Sequence, residues 1–177
     1  MTDTNTESQR ILRERARALA RIPPPPTAED STLELLEFRL ASERYALETR
    51  HVHEVHPLRE LTPLPCTPEF ILGIVNVRGR ILGVLDLKKF FQLPDPGLTD
   101  LHRIILLRGN GLEMGLLADV IVGVRRIPVD RLQPTLPTLT GIRAEYLKGV
   151  TDERLVVLDL DRLLSDPKIV LHEEVLS

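Results

Sequence analysis

This sequence of 177 residues has no tryptophan, two tyrosines and four phenylalanines, so aromatic residues make up only 3% of it. Its apolar load must come from Leu, Val and Ile, within a hydrophobic fraction of 42% that is ordinary for a globular chain. Cysteine occurs once, at Cys66. That excludes an internal disulfide framework and fits a reducing compartment. No apolar run approaches 18 residues and no signal-peptide pattern is present, so the expectation is a soluble cytoplasmic protein without direct membrane insertion. A net charge of −3 gives no general affinity for nucleic acid. G-x-S-x-G, H-E-x-x-H and C-x-x-C are all missing, which argues against an enzyme.

Turn residues, by contrast, are plentiful. Fourteen prolines and ten glycines favour short strands over long helices, and the length suits one domain, or one domain with a tail. The chain also echoes itself. Gly73 to Phe91 and Gly149 to Leu164 share a skeleton of Gly, Val, a polar turn with Arg, an apolar strand, Leu-Asp-Leu, a base and two large apolar residues. The two Leu-Asp-Leu triplets lie 73 positions apart, too far for a solenoid and suited to two similar subdomains. Upstream, Arg44-Tyr45-Ala46-Leu47 leads to Val52 and Val55 as Glu113-Met114-Gly115-Leu116 leads to Ile121 and Val124.

Residues 1–31 read differently from the rest. Thr6 and Gln9 have capping-box spacing, and Leu12, Ala16 and Leu19 recur at helical spacing among five arginines. Residues 1–22 carry +2, which leaves −5 on the remainder. Pro23 to Pro26 end this amphipathic helix in a stiff spacer. The arm is either loosely docked or a partner-binding helix, since so short a helix is marginal alone. Residues 32–166 form the folded domain, and 167–177 a tail or short helix. Leu36, Phe38 and Leu40 alternate as in a strand, and Val52 and Val55 suggest a bulge or bend. Thr67-Pro68-Glu69 is a helix start, which predicts one or two helical turns ending at Gly73. Strands follow over 74–77 and 81–85, and Asp86 caps a short helix. Asn110-Gly111 between apolar runs predicts a tight hairpin. Further strands fall at 120–124, 147–150 and 155–158. About ten short strands with tight turns indicate closed or nearly closed barrels.

Three groups could carry chemistry. Gly109, Gly111 and Gly115 are followed by a strand where a phosphate loop needs a helix. His51, His53 and His56 lack a fourth ligand at zinc spacing and read as a surface cluster. Asp86 and Asp159 precede short helices and read as caps, not as a catalytic pair. No metal or cofactor is implied.

At Asn76-Val77-Arg78-Gly79 the chain resembles the CheW family of chemotaxis coupling proteins. The resemblance runs from residue 33 to about 165. It includes Arg44-Tyr45-Ala46-Leu47, Val52-His53-Glu54-Val55, Thr67 to Gly73, Leu85-Asp86-Leu87, Met114-Gly115-Leu116 and Glu145 to Val150. The resemblance implies a mainly β fold of two similar five-stranded SH3-like barrels with few short helices. It implies a cytoplasmic adaptor in membrane-associated receptor arrays. Such an adaptor couples chemoreceptor tips to the regulatory domain of the histidine kinase CheA, which has the same fold, and can meet other CheW-like domains. Receptor-contact positions carry over as Val52, Glu54, Gly73, Asn76 and Arg78. Kinase contact carries over to Leu136, Thr138 and Leu139. Gly73 leaves room for an approaching helix, and Arg78 beside Gly79 offers a donor fork on an open turn. A CheW-like regulatory or ligand-sensing module outside taxis is the other reading. An adaptor should present an open apolar strip with Arg78 and Glu54 at its rim, a sensor a closed pocket with convergent polar groups.

Overall fold

The structure, a computed structural model, describes residues 32–95, 97–98, 101–134 and 142–170. The N-terminal helix and Leu136, Thr138 and Leu139 therefore lie outside the described residues. Ten strands follow in order: β1 (Thr32–Leu40), β2 (Glu43–Glu48), β3 (Val52–Pro57), β4 (Ile71–Val77), β5 (Arg80–Leu85), β6 (Arg103–Gly109), β7 (Leu112–Ala118), β8 (Val120–Pro128), β9 (Leu147–Val150) and β10 (Val156–Leu158). Helix α1 (Leu87–Phe90) follows β5; α2 (Leu160–Leu163) and α3 (Pro167–Val170) follow β10.

The echo in the sequence is an echo in structure. In each repeat an antiparallel hairpin, β4–β5 or β9–β10, runs into an aspartate and a four-residue helix. Asp86 accepts the Lys88 N–H at 2.9 Å, and Asp159 accepts the Arg162 N–H at 3.1 Å. Both carboxylates are caps. The two sheets, however, do not each take one repeat. Their orders are β8-β1-β2-β10-β9 and β3-β6-β7-β5-β4. Each joins the first hairpin of one repeat to the last three strands of the other. Parallel contacts seal the exchange, with Val84 opposite Gly115 and Val156 opposite Tyr45. In each sheet the segment after one outer strand makes one bridge to the other outer strand, Thr62 after β3 to Ile74 on β4 and Gln133 after β8 to Val150 on β9. The five-stranded counts hold, but among the described residues the edges meet through single bridges, not continuous ladders.

Central strands bury both faces, because neighbouring residues point opposite ways. Ile104 and Leu106 enter a small cluster inside one sheet, whereas Ile105 and Leu107 enter a larger cluster. Val157 and Leu158 divide in the same way between the other sheet's interior and that larger cluster. The largest part of the core is thus shared between the sheets; each five-stranded sheet is too small to hold more than a handful of side chains inside. All six aromatic residues gather there, with Phe38–Tyr45, Tyr45–Phe91, Phe70–Phe90 and Phe90–Tyr146 at centroid separations of 5.1–6.3 Å. The Tyr146 hydroxyl donates to buried Asp166; burial and that carboxylate push it up to about 12.

Polar clasps hold the ends of the interface. Asp119, between β7 and β8, accepts the Ala41 N–H at 2.6 Å. Its other oxygen takes the Lys88 ammonium at 2.7 Å and lies 2.8 Å from His102 Nε2. Lys88 is fully buried and also reaches Asp95 at 3.2 Å. At the related place in the other repeat, Asn110 donates to the Asp161 carbonyl and the Ser165 hydroxyl. Arg50 meets Asp161 there at 3.1 Å.

Two expectations are corrected. The helix predicted from Thr67-Pro68-Glu69 is a turn, in which the Ile71 N–H reaches the Pro68 carbonyl at 2.9 Å. Ile71 to Val77 pairs with β5 instead, because a long apolar β-branched run gains more in the sheet than one isolated turn gains as helix. The histidines are also not a surface cluster. His51 is buried in a 3-10 turn near the Arg108 carbonyl, His53 is exposed, and His56 is half-buried.

Candidate functional site

Strands β3 and β4 are the two outer strands of their sheet, and the β4–β5 turn projects beyond them. Arg78 (φ +52°) and Gly79 (φ +83°) form the tip of that turn. Both torsions are positive, as a two-residue hairpin turn requires. Asn76 closes the turn by accepting the Gly79 N–H at 2.8 Å. The Arg78 side chain is 74% exposed and reaches back to Glu54 on β3 at 3.1 Å. The Glu54 carboxyl is held below the usual range by His56 first and then by the Arg78 charge. A bulge between Val52 and Glu54 sets this register, as the spacing of Val52 and Val55 predicts.

Of the five receptor positions implied by the resemblance, Glu54, Asn76 and Arg78 meet on this edge. The other two face inward. Val52 is half-buried against the shared core. Gly73 has φ +142°, and a Cβ there would lie 2.1 Å from the Thr62 carbonyl oxygen. The space at Gly73 is therefore filled by the chain's own Thr62–Pro63 backbone, not left for a helix. Gly149 occupies the equivalent place, where a Cβ would lie 2.7 Å from the Gln133 oxygen.

Sequence reasoning missed two groups. A cavity of about 210 Å³ beside the edge is lined by Asn76, Val77 and Arg78 together with His56, Pro57 and Arg59. The His-x-x-Arg spacing across the end of β3 is its signal in the sequence. On the outer strand β8, Val120, Val122 and Val124 are each more than half exposed and share one face. They form an open apolar stripe. Its direction was not legible, because the opposite face begins with the apolar Ile121. A second cavity of about 260 Å³ lies under Leu101, Val120 and Ile121. Both are smaller than the roughly 300–1,000 Å³ common for ligand pockets. No group of His, Cys, Asp or Glu among the described residues could hold a metal. No helix among them is long and apolar enough to cross a membrane.

Exposed turns and an open apolar stripe on outer strands of a two-sheet frame are the features of an interaction module. Its family is equally plain: the CheW-like domain matches residues 34–168, and the chain belongs to the CheW family. It is similar to the chemotaxis protein CheW of Treponema pallidum, 29% identical over 152 residues covering 82% of this chain and 89% of the relative. Protein FrzA of Myxococcus xanthus is 35% identical over 133 residues, 72% of this chain and 82% of FrzA. Among solved structures, the scaffolding protein TtCheW from Thermoanaerobacter tengcongensis matches with a TM-score of 0.68 and 34% identity, over 77% of this chain and 94% of that one.

Proposed function

We propose that this chain is an adaptor of a chemosensory array, joining the cytoplasmic tip of a chemoreceptor to the regulatory domain of the histidine kinase CheA. The observation that carries the reading is the Glu54–Arg78 pair on the projecting β4–β5 edge. An exposed guanidinium stands there beside a half-buried carboxylate, within reach of a carboxylate on a helical partner. Asn76 keeps the turn closed. Val52 and Gly73 act from behind, one by seating β3 on the core and the other by letting the Thr62 bridge approach β4. The open valine stripe on β8 favours a protein partner over a small ligand. Kinase contact through Leu136, Thr138 and Leu139, and pairing with other CheW-like domains, belong to the same reading, as does a cytoplasmic place at arrays reached through partners. Binding two partners at once would raise their effective concentration without catalysis.

The test is a titration of the full chain with a receptor tip hairpin and, separately, with the kinase regulatory domain. Arg78→Glu should weaken tip binding at least tenfold, since it sets two carboxylates side by side. The melting temperature should hardly move, because so exposed an ion pair contributes at most about 1 kcal/mol. Unchanged tip affinity in a folded Arg78→Glu protein refutes the site. Failure of both partners to bind the unmodified chain refutes the adaptor.

A further inference from the structure

One oxygen of Glu54 serves two nitrogen groups. Its Oε2 lies 3.1 Å from the Arg78 guanidinium and 3.0 Å from His56 Nε2. The His56 nitrogen is shielded from water and makes no hydrogen bond of normal geometry. Its nearest charge is the carboxylate. Histidine is the side chain that changes charge between about pH 5 and 8. Around His56 stand Glu54 on β3, Arg59 from the segment after β3 and Arg78 from the β4–β5 turn, with the apolar Ile104 of the neighbouring β6 opposite it and His53 near Glu54. Glu54 stays ionised throughout this range, and the arginines stay cationic. Of the two histidines on this strand, His56 is the one that pairs with Oε2.

We infer that His56 is a positioning residue of this edge: by taking a proton it competes with Arg78 for Glu54, and so strengthens the hold of Arg78 on an acidic group of the partner at lower pH. The inference rests on the reading of this edge as the partner site. With His56 neutral, the carboxylate holds the guanidinium back against β3. With His56 cationic, the same oxygen faces two cations that repel each other. The buried ring nitrogen cannot move to water, whereas the exposed guanidinium can swing free. Its release no longer costs a full ion pair. For a pair this exposed the expected gain is roughly two- to fivefold in affinity.

The full chain, titrated with a receptor tip hairpin at pH 8, 7 and 6, should bind two- to fivefold more tightly at pH 6. The His56→Gln variant should lose that slope and keep its melting temperature, while His53→Gln keeps the slope. A slope that persists in His56→Gln, or is absent from the unmodified chain, overturns the inference, even where Arg78→Glu still weakens binding and the site itself stands. A second measurement needs no partner. The Arg78 Nε–Hε resonance of the free protein should shift as the pH is lowered from 8 to 6, and the shift should vanish in His56→Gln. An Arg78 signal that does not move over this range overturns the inference even if no tip binds, and the adaptor reading is then judged separately on the binding data.

Discussion

Replacing Asp119 with alanine should destabilise the fold by about 3 kcal/mol. Lys88 is fully buried, and its ammonium sits 2.7 Å from the Asp119 carboxylate. Removing one member of a buried pair costs roughly 3–5 kcal/mol, because the other is left as an uncompensated charge. Asp95 still lies 3.2 Å from Lys88, and Asp119 is itself partly exposed, so the low end applies. The Ala41 N–H also loses its acceptor, which adds to the cost. In urea, with a slope of roughly 1–3 kcal/mol/M, the midpoint should fall by about 1 M or more. Burial alone would lower the Lys88 pKa, yet the carboxylates around it outweigh burial and raise it. A raised lysine contributes its full stabilisation below the unfolded value of 10.5 and loses it only as pH climbs through the folded one. The Lys88 share of the loss should therefore be constant from pH 6 to 9. Adding Lys88→Met to Asp119→Ala should recover more than half of it, since the stranded charge is gone. A loss under 1 kcal/mol, or no recovery in the double variant, refutes the argument that this clasp is a buried ion pair holding the sheets together.

Two further outcomes follow from backbone and charge. Gly73→Ala should cost more than about 2 kcal/mol, because a Cβ meets the Thr62 carbonyl and φ is +142°; Gly83→Ala, with open space around it, should lie within about 1 kcal/mol of the unmodified protein. Thermal melts of the two variants decide this, and equal melting temperatures refute it. Acid should weaken the fold through Glu37, whose carboxyl is lowered by the Arg44 hydrogen bond and further by Arg125. A lowered carboxyl contributes stability above its unfolded value of 4.5 and loses it as pH falls through the folded one. Urea midpoints at pH 7 and pH 3.5 should therefore differ less in Glu37→Gln than in the unmodified chain; equal differences count against it.

Legibility in the sequence followed locality. Asn110-Gly111 announced its hairpin because both residues must adopt positive φ, and they do, at +52° and +79°. Asp86 and Asp159 announced their caps because the hydrogen bond closes within three residues. Thr67-Pro68-Glu69 misled for the same reason: its signal is local, but Phe70 to Val77 is decided by pairing with β5 and by Phe90. Lys88 reads as a solvated base in Leu-Lys-Lys-Phe. Only the fold brings Asp119 and Asp95, 31 and 7 residues away, to bury it. The meeting of Glu54, Asn76 and Arg78 was legible through family resemblance, not through any spacing. His56 was seen as one of three histidines, but its claim on Glu54 needs the bulge that turns β3.

The two repeats carry opposite charges at equivalent positions of the frame that the exchanged strands build. The offset of 69 residues that relates Tyr45 to Met114 also relates Ala41 to Asn110 and Arg50 to Asp119; the offset of 73 relates Lys88 to Asp161. Each clasp therefore uses equivalent positions, a hairpin turn, a residue one or two before the outer strand and the second residue of a short helix. The signs are inverted. Lys88 with Asp119 is buried, whereas Asp161 with Arg50 is about half exposed. Water screens the second pair to a contribution of about 0–1 kcal/mol, so shape must do there what charge does at the first. Asn110 supplies it by bonding to the Asp161 carbonyl and the Ser165 hydroxyl, and Gly109 lets Leu164 approach within 2.9 Å of where a Cβ would stand. Neither repeat can complete a sheet by itself, since each lends three strands to the other's hairpin. The two ends of the interface are thus held by different physics on one frame, and the Glu54–Arg78 edge stands on the sheet that the buried clasp ties down.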